Sequence, residues 1–462
     1  MFVGRNQELQ SLNRYYDSNR FECAVIYGRR RVGKTELISE FVKGKKHIFF
    51  TAVEGTYRKN LDILSKAIMS SDDGSIRTVS PKFSEFSDCL EHISHIANEK
   101  LVVVFDEYPY FAQSEKSVSS VLQQFIDHKF QRTDIMLILC GSSMSFMENQ
   151  VMGNKSPLYG RRTCQYKILP FEFDSSRGFH SSFSSQEQAV VYAITGGIPK
   201  YLLQFYDNKS LKANIIDNFF SPNSLLFEEP SNLLKQELRE PAVYNSIITA
   251  IATGSSKLNE IATKAHITTS ACSNYISSLL SLNIVRKELP ILAKANSRNT
   301  IYRLTDGMFR FWYKFVYENV SEISMHQGEA LYSEIEPQIS EFMGEAFEDI
   351  CKQWLWQKNF EGSLPFRFKD CGRWWGTNPS IKAEQEIDLL AYSKDKVSAI
   401  FCECKWTNEQ ISASTIDGLI EKSAMFNYAK KHYFLFSKSG YTTSALKLAS
   451  ENINLISFDD MF

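Results

Sequence analysis

The chain has 462 residues, 43% hydrophobic and 23% charged, with a formal net charge of -1. At roughly 150 residues per domain, this length predicts about three units rather than one core. A charge so close to zero excludes a globally attractive surface for nucleic acid, so any such contact must be a local patch.

No run of about 18 apolar residues is available to span a bilayer. The opening Met1-Phe2-Val3-Gly4-Arg5 turns polar at once. Together these features predict a cytoplasmic protein with no membrane partner. Nine cysteines, an odd number in apolar contexts such as Cys23, Cys140 and Cys402, read as buried thiols rather than a disulfide framework. Cys402 and Cys404 lack nearby His or Cys partners and are poor zinc ligands.

Residues 5–149 alternate apolar runs, at 23–27, 47–50, 101–105 and 135–140, with amphipathic stretches. Uninterrupted apolar strands separated by helices predict a parallel sheet covered on both faces. The first run leads into Gly28-Arg29-Arg30-Arg31-Val32-Gly33-Lys34-Thr35, followed from Glu36 by a helical pattern. Glycines allow backbone amides to close around phosphate oxygens, a lysine reaches the β and γ phosphates, and a hydroxyl ligates Mg2+. Gly28 through Glu36 are therefore assigned to ATP, with Thr35 on the metal.

The run 101–105 delivers Asp106 and Glu107 to the end of another buried strand. Asp106 is expected to hold Mg2+ through its water shell and Glu107 to orient or activate the attacking water. The run 135–140 ends in Gly141-Ser142-Ser143, whose hydroxyls either sense the γ phosphate or simply form a turn. Arg161 and Arg162 are candidates to neutralise transition-state charge, in cis or in trans; the alternative is a solvated basic turn.

Residues 171–238 read as helical, broken at Gly196-Gly197-Ile198-Pro199. Residues 243–304 read as three short helices followed by a strand pair, in winged-helix order. The third helix, 268–282, with Thr268 or Thr269 as N-cap, exposes Ser270, Ser273, Asn274 and Ser277 but carries no charge. Phosphate contacts would then fall to Lys264, Arg286, Lys287 and Arg298, with Lys294 and Arg303 also nearby. The alternative is that this module packs against the rest of the chain and relays nucleotide state.

In the last part, Glu386-Ile387-Asp388 precedes Phe401-Cys402-Glu403-Cys404-Lys405 by about fifteen residues. Residues i and i+2 of a strand share a face, so Glu403 and Lys405 project together. A hairpin through 393–396 would bring Asp388 beside Glu403. Two carboxylates so placed can hold Mg2+, and a lysine beside them can position water, which suits phosphodiester hydrolysis. Glu348, on a helix over 342–351, is a further metal candidate, with Glu345 one turn earlier. Trp374 and Trp375 read as packing residues.

Phe2-Val3-Gly4-Arg5 with Glu8-Leu9, the P-loop, Asp106-Glu107, Gly141-Ser142-Ser143, Leu169-Pro170-Phe171 and Gly197-Ile198-Pro199 together resemble the AAA+-related STAND class of ATPases common in archaea and bacteria. The resemblance implies that Arg5 lies near the nucleotide base and that Pro199, in a helical lid, contacts the nucleotide. The C-terminal carboxylates, with Gly372-Arg373-Trp374-Trp375 ahead of them, resemble the PD-(D/E)XK restriction-endonuclease-like fold.

The expected fold class is multidomain α/β. A P-loop NTPase core (1–170) is followed by a helical lid (171–238), a winged helix (239–310), a helical connector (311–339) and a nuclease-like domain (340–462). The expected function is an ATP-binding and ATP-hydrolysing switch coupled to a metal-dependent nuclease, with ATP and Mg2+ as cofactors and DNA or other nucleic acid as partner. The rival is a non-nuclease regulator that assembles into homo-oligomers on ATP, with an inactive last module. Remodelling of a protein partner is a third reading.

Overall fold

A computed structural model of the chain describes residues 2–73, 82–294, 297, 299–379 and 381–462. The chain divides into two compact units, Met1–Pro170 and Phe171–Phe462.

The first unit is built on five parallel strands, β1 (Glu22–Tyr27), β2 (His47–Thr51), β3 (Leu101–Asp106), β4 (Ile135–Gly141) and β5 (Cys164–Lys167), ordered β2-β3-β4-β1-β5. Every residue of β1, β3 and β4 is buried. Their side chains alternate between two cores: Val25, Val103 and Leu137 pack with Phe111 and Leu122, while Ile26, Val104 and Ile138 pack with Leu37 and Phe41. Burying each such aliphatic side chain stabilises the fold by about 1.5–3 kcal/mol, and the charged residues of these strands, Glu22 and Asp106, stand only at their ends. β2 and β5 lie at the sheet edges; β2 alternates buried and half-buried residues until its exposed last residue, and β5 alternates half-buried and exposed ones, as half-covered strands do. β5 is short and half polar, and escapes a search for apolar runs. Because all five strands are parallel, the loops after β1, β3 and β4 emerge at one edge of the sheet.

The second unit combines helices with a hairpin and a mixed sheet. Three helices, Pro241–Ala252, Leu258–Lys264 and Thr269–Ser281, precede the antiparallel pair β6 (Val285–Glu288) and β7 (Ile301–Leu304). Thr268 caps the third helix by accepting from the Ala271 amide. Next comes the helix Gly307–Phe315, capped by Asp306, whose carboxylate accepts from the Met308 and Phe309 amides at 2.9 and 3.2 Å. It packs so closely on the helix Ser185–Thr195 that a Cβ on Gly307 would lie 2.2 Å from the Ala193 carbonyl oxygen.

The helix Gly328–Glu361 then runs for 34 residues, crossing the expected boundary at 339/340, and stops at Gly362, whose φ of 73° is left-handed. The mixed sheet contains β8 (Phe368–Asn378), β9 (Ala383–Ser393), β10 (Ser398–Lys405), β11 (Lys430–Ser437) and β12 (Ile453–Ser457), ordered β12-β11-β10-β9-β8. β8, β9 and β10 form an antiparallel meander, whereas β10, β11 and β12 are parallel.

The long helix covers one face through Phe347, Ile350 and Leu355 against Leu389, Ala391 and Cys402. The helix Ala413–Ser423 covers the other through Ile416 and Leu419 against Leu390 and Phe401. The segment 372–375 lies ahead of the first acidic strand, within the additional strand β8. One local expectation needs correction: the helix over 342–351 is only the middle of a much longer one.

Candidate functional site

The P-loop connects β1 to the helix Lys34–Val42. A Cβ on Gly28 would lie 2.3 Å from the Ile168 carbonyl oxygen, so no other residue fits there, and Gly33 turns the chain into the helix with a left-handed φ of 87°. The helix N-terminus thus faces into the loop, where its free amides and dipole favour an anion. Lys34 is buried, and its ammonium donates to the carbonyls of Gly28 at 2.9 Å and Arg29 at 3.0 Å. Burial lowers its pKa, against the pull of neighbouring groups that include Glu107 and Asp106.

The order of strands sets β4 between the P-loop strand and the acidic strand. Thr35 nonetheless reaches across, its hydroxyl donating to Asp106 Oδ2 at 2.9 Å. Asp106 is 2% exposed, and its other oxygen accepts the Glu107 amide at 3.0 Å. Glu107 sits at a left-handed φ of 50°, and its carboxylate accepts from both the amide (3.2 Å) and the hydroxyl (2.8 Å) of Ser142, at the end of β4.

Ser143 N-caps the short helix Met144–Phe146 in position only, with no side-chain cap bond. Arg30 donates to the Tyr110 hydroxyl at 2.7 Å. Arg29 and Val32 are buried, Arg31 has a left-handed φ of 76°, and Glu36 is exposed in the first helical turn. Arg5 donates to the carbonyls of Val32 at 3.3 Å and Leu169 at 2.5 Å, tying the N-terminal segment to the P-loop and to the chain after β5.

Arg161 and Arg162 stand elsewhere. They immediately precede Thr163, whose amide donates to the Cys23 carbonyl at the start of β1, and so lie at the amino edge of the sheet. The P-loop follows the far end of that six-residue strand, a rise of about 20 Å. Arg161 makes a bidentate pair with Asp127 at 2.8 and 2.7 Å, and Arg162 donates to the Met152 carbonyl at 3.3 Å. Neither arginine therefore stands beside the P-loop of its own chain. Pro199 occupies the first turn of the helix Pro199–Leu202 in the second unit.

In the mixed sheet, the β9/β10 ladder runs from Tyr392↔Ala399 to Leu389↔Cys402. Asp388 and Glu403 are the next residues on each strand, where the ladder has ended and carboxylates can converge. Asp388 accepts the Cys404 amide at 2.7 Å. Burial raises its pKa, and the charge of Glu403 raises it further. Glu403 is itself bracketed by two lysines, Lys405 at 2.6 Å on one oxygen and Lys422, from the helix Ala413–Ser423, at 3.3 Å on the other. Burial acts to lower the Lys405 pKa, but Glu403 and Asp388 outweigh it and the net shift is upward.

Glu348 projects from the long helix and pairs with Arg373 of β8 at 3.1 Å, and the same guanidinium pairs with Glu386. Burial pushes Glu348 up to about 8, against the pull of Arg373. The structure therefore places Asp388, Glu403 and Lys405 together and Glu348 beside them on an arginine. Among the described residues no three His, Cys, Asp or Glu side chains form a ready metal cluster. Arg373 and Lys422 were not among the residues expected at this centre. Arg373 lies within the segment 372–375 ahead of the acidic strand, but nothing in the sequence places the face of the helix Ala413–Ser423 against β10.

Of the basic residues expected on the hairpin, Arg286 is not a free cation. It donates to both oxygens of Asp349 at 3.0 and 2.9 Å and to Glu345 at 3.1 Å, and also pairs with Glu288. Arg303 joins the same group. Lys264 and Lys287 are exposed, and Arg298 lies outside the described residues. Ser270, Ser273, Asn274 and Ser277 are exposed on the third helix. All nine cysteines are free thiols, and among the described residues no helix is long and apolar enough to cross a membrane.

Residues 2–205 match a family described as an ATPase domain predominantly from Archaea, and residues 312–416 match archaeal and bacterial proteins of unknown function. The uncharacterized protein MJECL04 of Methanocaldococcus jannaschii is 32% identical over 410 residues, covering 88% of each chain. An uncharacterized ATP-binding protein of the same organism, MJ0423, is 50% identical over 46 residues, 10% of this chain and 78% of its own. Among solved structures, the Walker-type ATPase PABY2304 of Pyrococcus abyssi matches with a TM-score of 0.52 at 20% identity, over 68% of this chain and 96% of that one. With its P-loop, acidic strand end and parallel sheet in place, the chain belongs to the archaeal-type P-loop ATPase family, joined to a C-terminal region shared with archaeal and bacterial proteins of unknown function.

Proposed function

We propose that this ATPase is a STAND-type switch whose Mg-ATP state controls a metal-dependent nuclease in its mixed-sheet part. Lys34 binds the β and γ phosphates, Thr35 and Asp106 hold Mg2+, and Glu107 aligns the attacking water while Ser142 fixes its carboxylate. Arg5 is read as lying near the nucleotide base. Arg161 or Arg162 acts on the site of a second copy, so ATP favours a homo-oligomer.

The nuclease half rests on one observation: Asp388 and Glu403 leave the β9/β10 ladder together, with the Lys405 ammonium 2.6 Å from Glu403. The sequence of elements agrees with a PD-(D/E)XK-like fold, since a helix precedes the β8-β9-β10 meander and a second helix leads to the parallel strand β11. The donor set fits a divalent cation, because the mutual repulsion of a buried carboxylate, Glu403, and a half-buried one, Asp388, is what such an ion relieves. Asp388 and Glu403 would hold it, with Glu348 as a further oxygen donor, and a bound Mg2+ or Mn2+ would polarise a phosphodiester and its attacking water. Lys405 orients that water and stabilises charge on the phosphate. The helices and hairpin over 241–304 are read as a winged helix that transmits nucleotide state.

The test is cleavage of DNA and RNA with Mg2+ or Mn2+, with and without ATP. Cleavage that Lys405→Ala abolishes and Lys34→Ala uncouples from ATP is expected. No cleavage of any substrate, or cleavage indifferent to Lys405→Ala, removes the nuclease half.

The pairing of Glu403 with two lysines, and of Glu348 with Arg373, favours a second reading. In it the mixed-sheet part is an inactive interaction module and ATP drives assembly. A mass shift between ADP and ATP without any cleavage distinguishes it.

A further inference from the structure

The second unit contains a cleft of about 350 Å³ between the β6–β7 hairpin and strand β8. Its walls carry Arg286 and Lys287 from the hairpin, Glu348 and Lys352 from the long helix, and Arg373 and Trp375 from β8. The hairpin wall is fixed. The Ile291 amide, in the loop after β6, donates to the Arg373 carbonyl at 2.7 Å, and the Ile291 side chain is buried in the core of the mixed sheet with Ile387 and Leu390.

The charges of the cleft divide into two sets. Glu288 and Asp349 are paired with Arg286, and Glu348 with Arg373. Neither the Lys287 nor the Lys352 side chain forms an ion pair or a hydrogen bond among the described residues. Asp370, exposed and accepting only its neighbour's amide at 2.9 Å among the described residues, is the remaining acid of the lining. The lining as a whole balances four cations against four carboxylates, and the two cations left without an ion-pair partner among the described residues are the ammonium groups of Lys287 and Lys352.

The two tryptophans of β8 differ. Trp374 packs edge-on against Phe426, ring centroids 4.9 Å apart. Trp375, on the opposite face of the strand, is half-buried, lines the cleft and has no ring partner among the described residues.

We infer that this cleft binds one nucleotide unit of a single-stranded nucleic acid, its phosphate held by Lys287 and Lys352 and its base stacked on Trp375. This deepens the nuclease reading and rests on it for the role of Glu348 at the inner end. The volume falls within the range of about 300–1,000 Å³ typical of small-ligand sites. An aromatic face takes a base only when that base is unpaired and unstacked, which a duplex does not offer. The docked hairpin cannot swing aside for a duplex without extracting Ile291 from the core.

Fluorescence anisotropy tests the inference with the full chain in EDTA, so that binding is read without cleavage. The probes are a labelled thymidine oligonucleotide, a hairpin duplex, and free thymidine monophosphate as competitor. The single strand should bind more tightly than the duplex. Trp375→Ala should weaken it on the order of ten- to a hundredfold, with Trp375→Phe largely restoring binding. The Lys287→Ala, Lys352→Ala double variant should lower the slope of log affinity against log salt by about 1.4. Thermal melts of each variant at the wild-type midpoint establish folding.

Equal affinity of wild type and variants overturns the inference. So does tighter duplex binding, or displacement by the mononucleotide at the oligonucleotide's own concentration. Lys405→Ala separates the two readings: binding that persists in Lys405→Ala, when no wild-type cleavage is seen, keeps the cleft and removes the nuclease.

Discussion

The Thr35 hydroxyl donates to Asp106 Oδ2 across 2.9 Å, joining the first turn after the P-loop to the end of a strand two positions away in the sheet. Mg2+ in P-loop ATPases is held by this pair of residue types. Lys34, anchored on the loop carbonyls beside it, is the cation left for the phosphates. Lys34→Ala should weaken ATP binding on the order of a hundredfold or more, as expected for the loss of charge-assisted hydrogen bonds. Calorimetric titration with ATP and Mg2+ measures it, and retained affinity contradicts the assignment.

Glu107 is held by the amide and hydroxyl of Ser142 rather than by a basic residue. Glu107→Gln should keep ATP affinity within a few-fold while hydrolysis falls on the order of 10²–10⁴-fold. Ser142→Ala, which removes one hydrogen bond to that carboxylate, should slow hydrolysis by about tenfold. A phosphate-release assay at saturating ATP reads both; an unaffected Ser142→Ala rate would leave the Ser142 contact without a catalytic part.

The position of Arg161 at the amino edge of the sheet yields a different expectation. Its pair with Asp127 is about a quarter exposed on each side, so Arg161→Ala should cost about 1 kcal/mol or less. ATP affinity of the dilute protein should not change. Any catalytic contribution should appear only when copies meet: Arg161→Ala, Arg162→Ala chains mixed with Lys34→Ala chains should recover hydrolysis that neither has alone. A loss of ATP affinity in the dilute arginine variant would restore the cis role.

Arg286 and Lys287 are adjacent, yet only one is spent. Arg286 serves Asp349, Glu345 and Glu288, all partly shielded from water. Its removal leaves three carboxylates under-compensated and should destabilise the second unit by about 2–4 kcal/mol, somewhat below a fully buried pair. Lys287→Ala should change stability by about 0.5 kcal/mol or less. Urea unfolding compares them, and equal effects would show that the Arg286 network carries little stability.

Glu348 gives a pH dependence. Burial pushes its carboxyl from 4.5 up to about 8. The folded chain therefore retains a proton that the unfolded chain releases across this interval. This contribution to stability is fully present below about pH 4.5 and is lost as pH rises through about 8. Glu348→Gln has no proton to lose. The difference in thermal midpoint, variant minus wild type, should grow in the variant's favour between about pH 5 and about pH 8.5. A difference that stays flat across that range would mean that Glu348 is ionised throughout.

The sequence by itself determined the elements whose chemistry is local. Gly28 to Thr35 must follow a strand and open a helix for their amides to face an anion, and the runs at 101–105 and 135–140 carry no polar residue because both sheet faces are covered. The hairpin that sets Asp388 beside Glu403 was legible too, since strand alternation and a short turn fix its register. Tertiary structure alone decided which charges were already spent. Arg286 and Lys287 look alike in a sequence, and only the packing of the hairpin on the long helix directs one to Asp349 and leaves the other in solvent. Arg161 precedes a strand too short and polar to be noticed, so its place at the wrong edge of the sheet was hidden. Lys422 and Arg373 reach the carboxylates from elements whose facing depends on the whole core. Side-chain periodicity is a property of neighbours along the chain, whereas the partner of a charge is set by contacts between segments distant in sequence, and a single sequence carries no record of these.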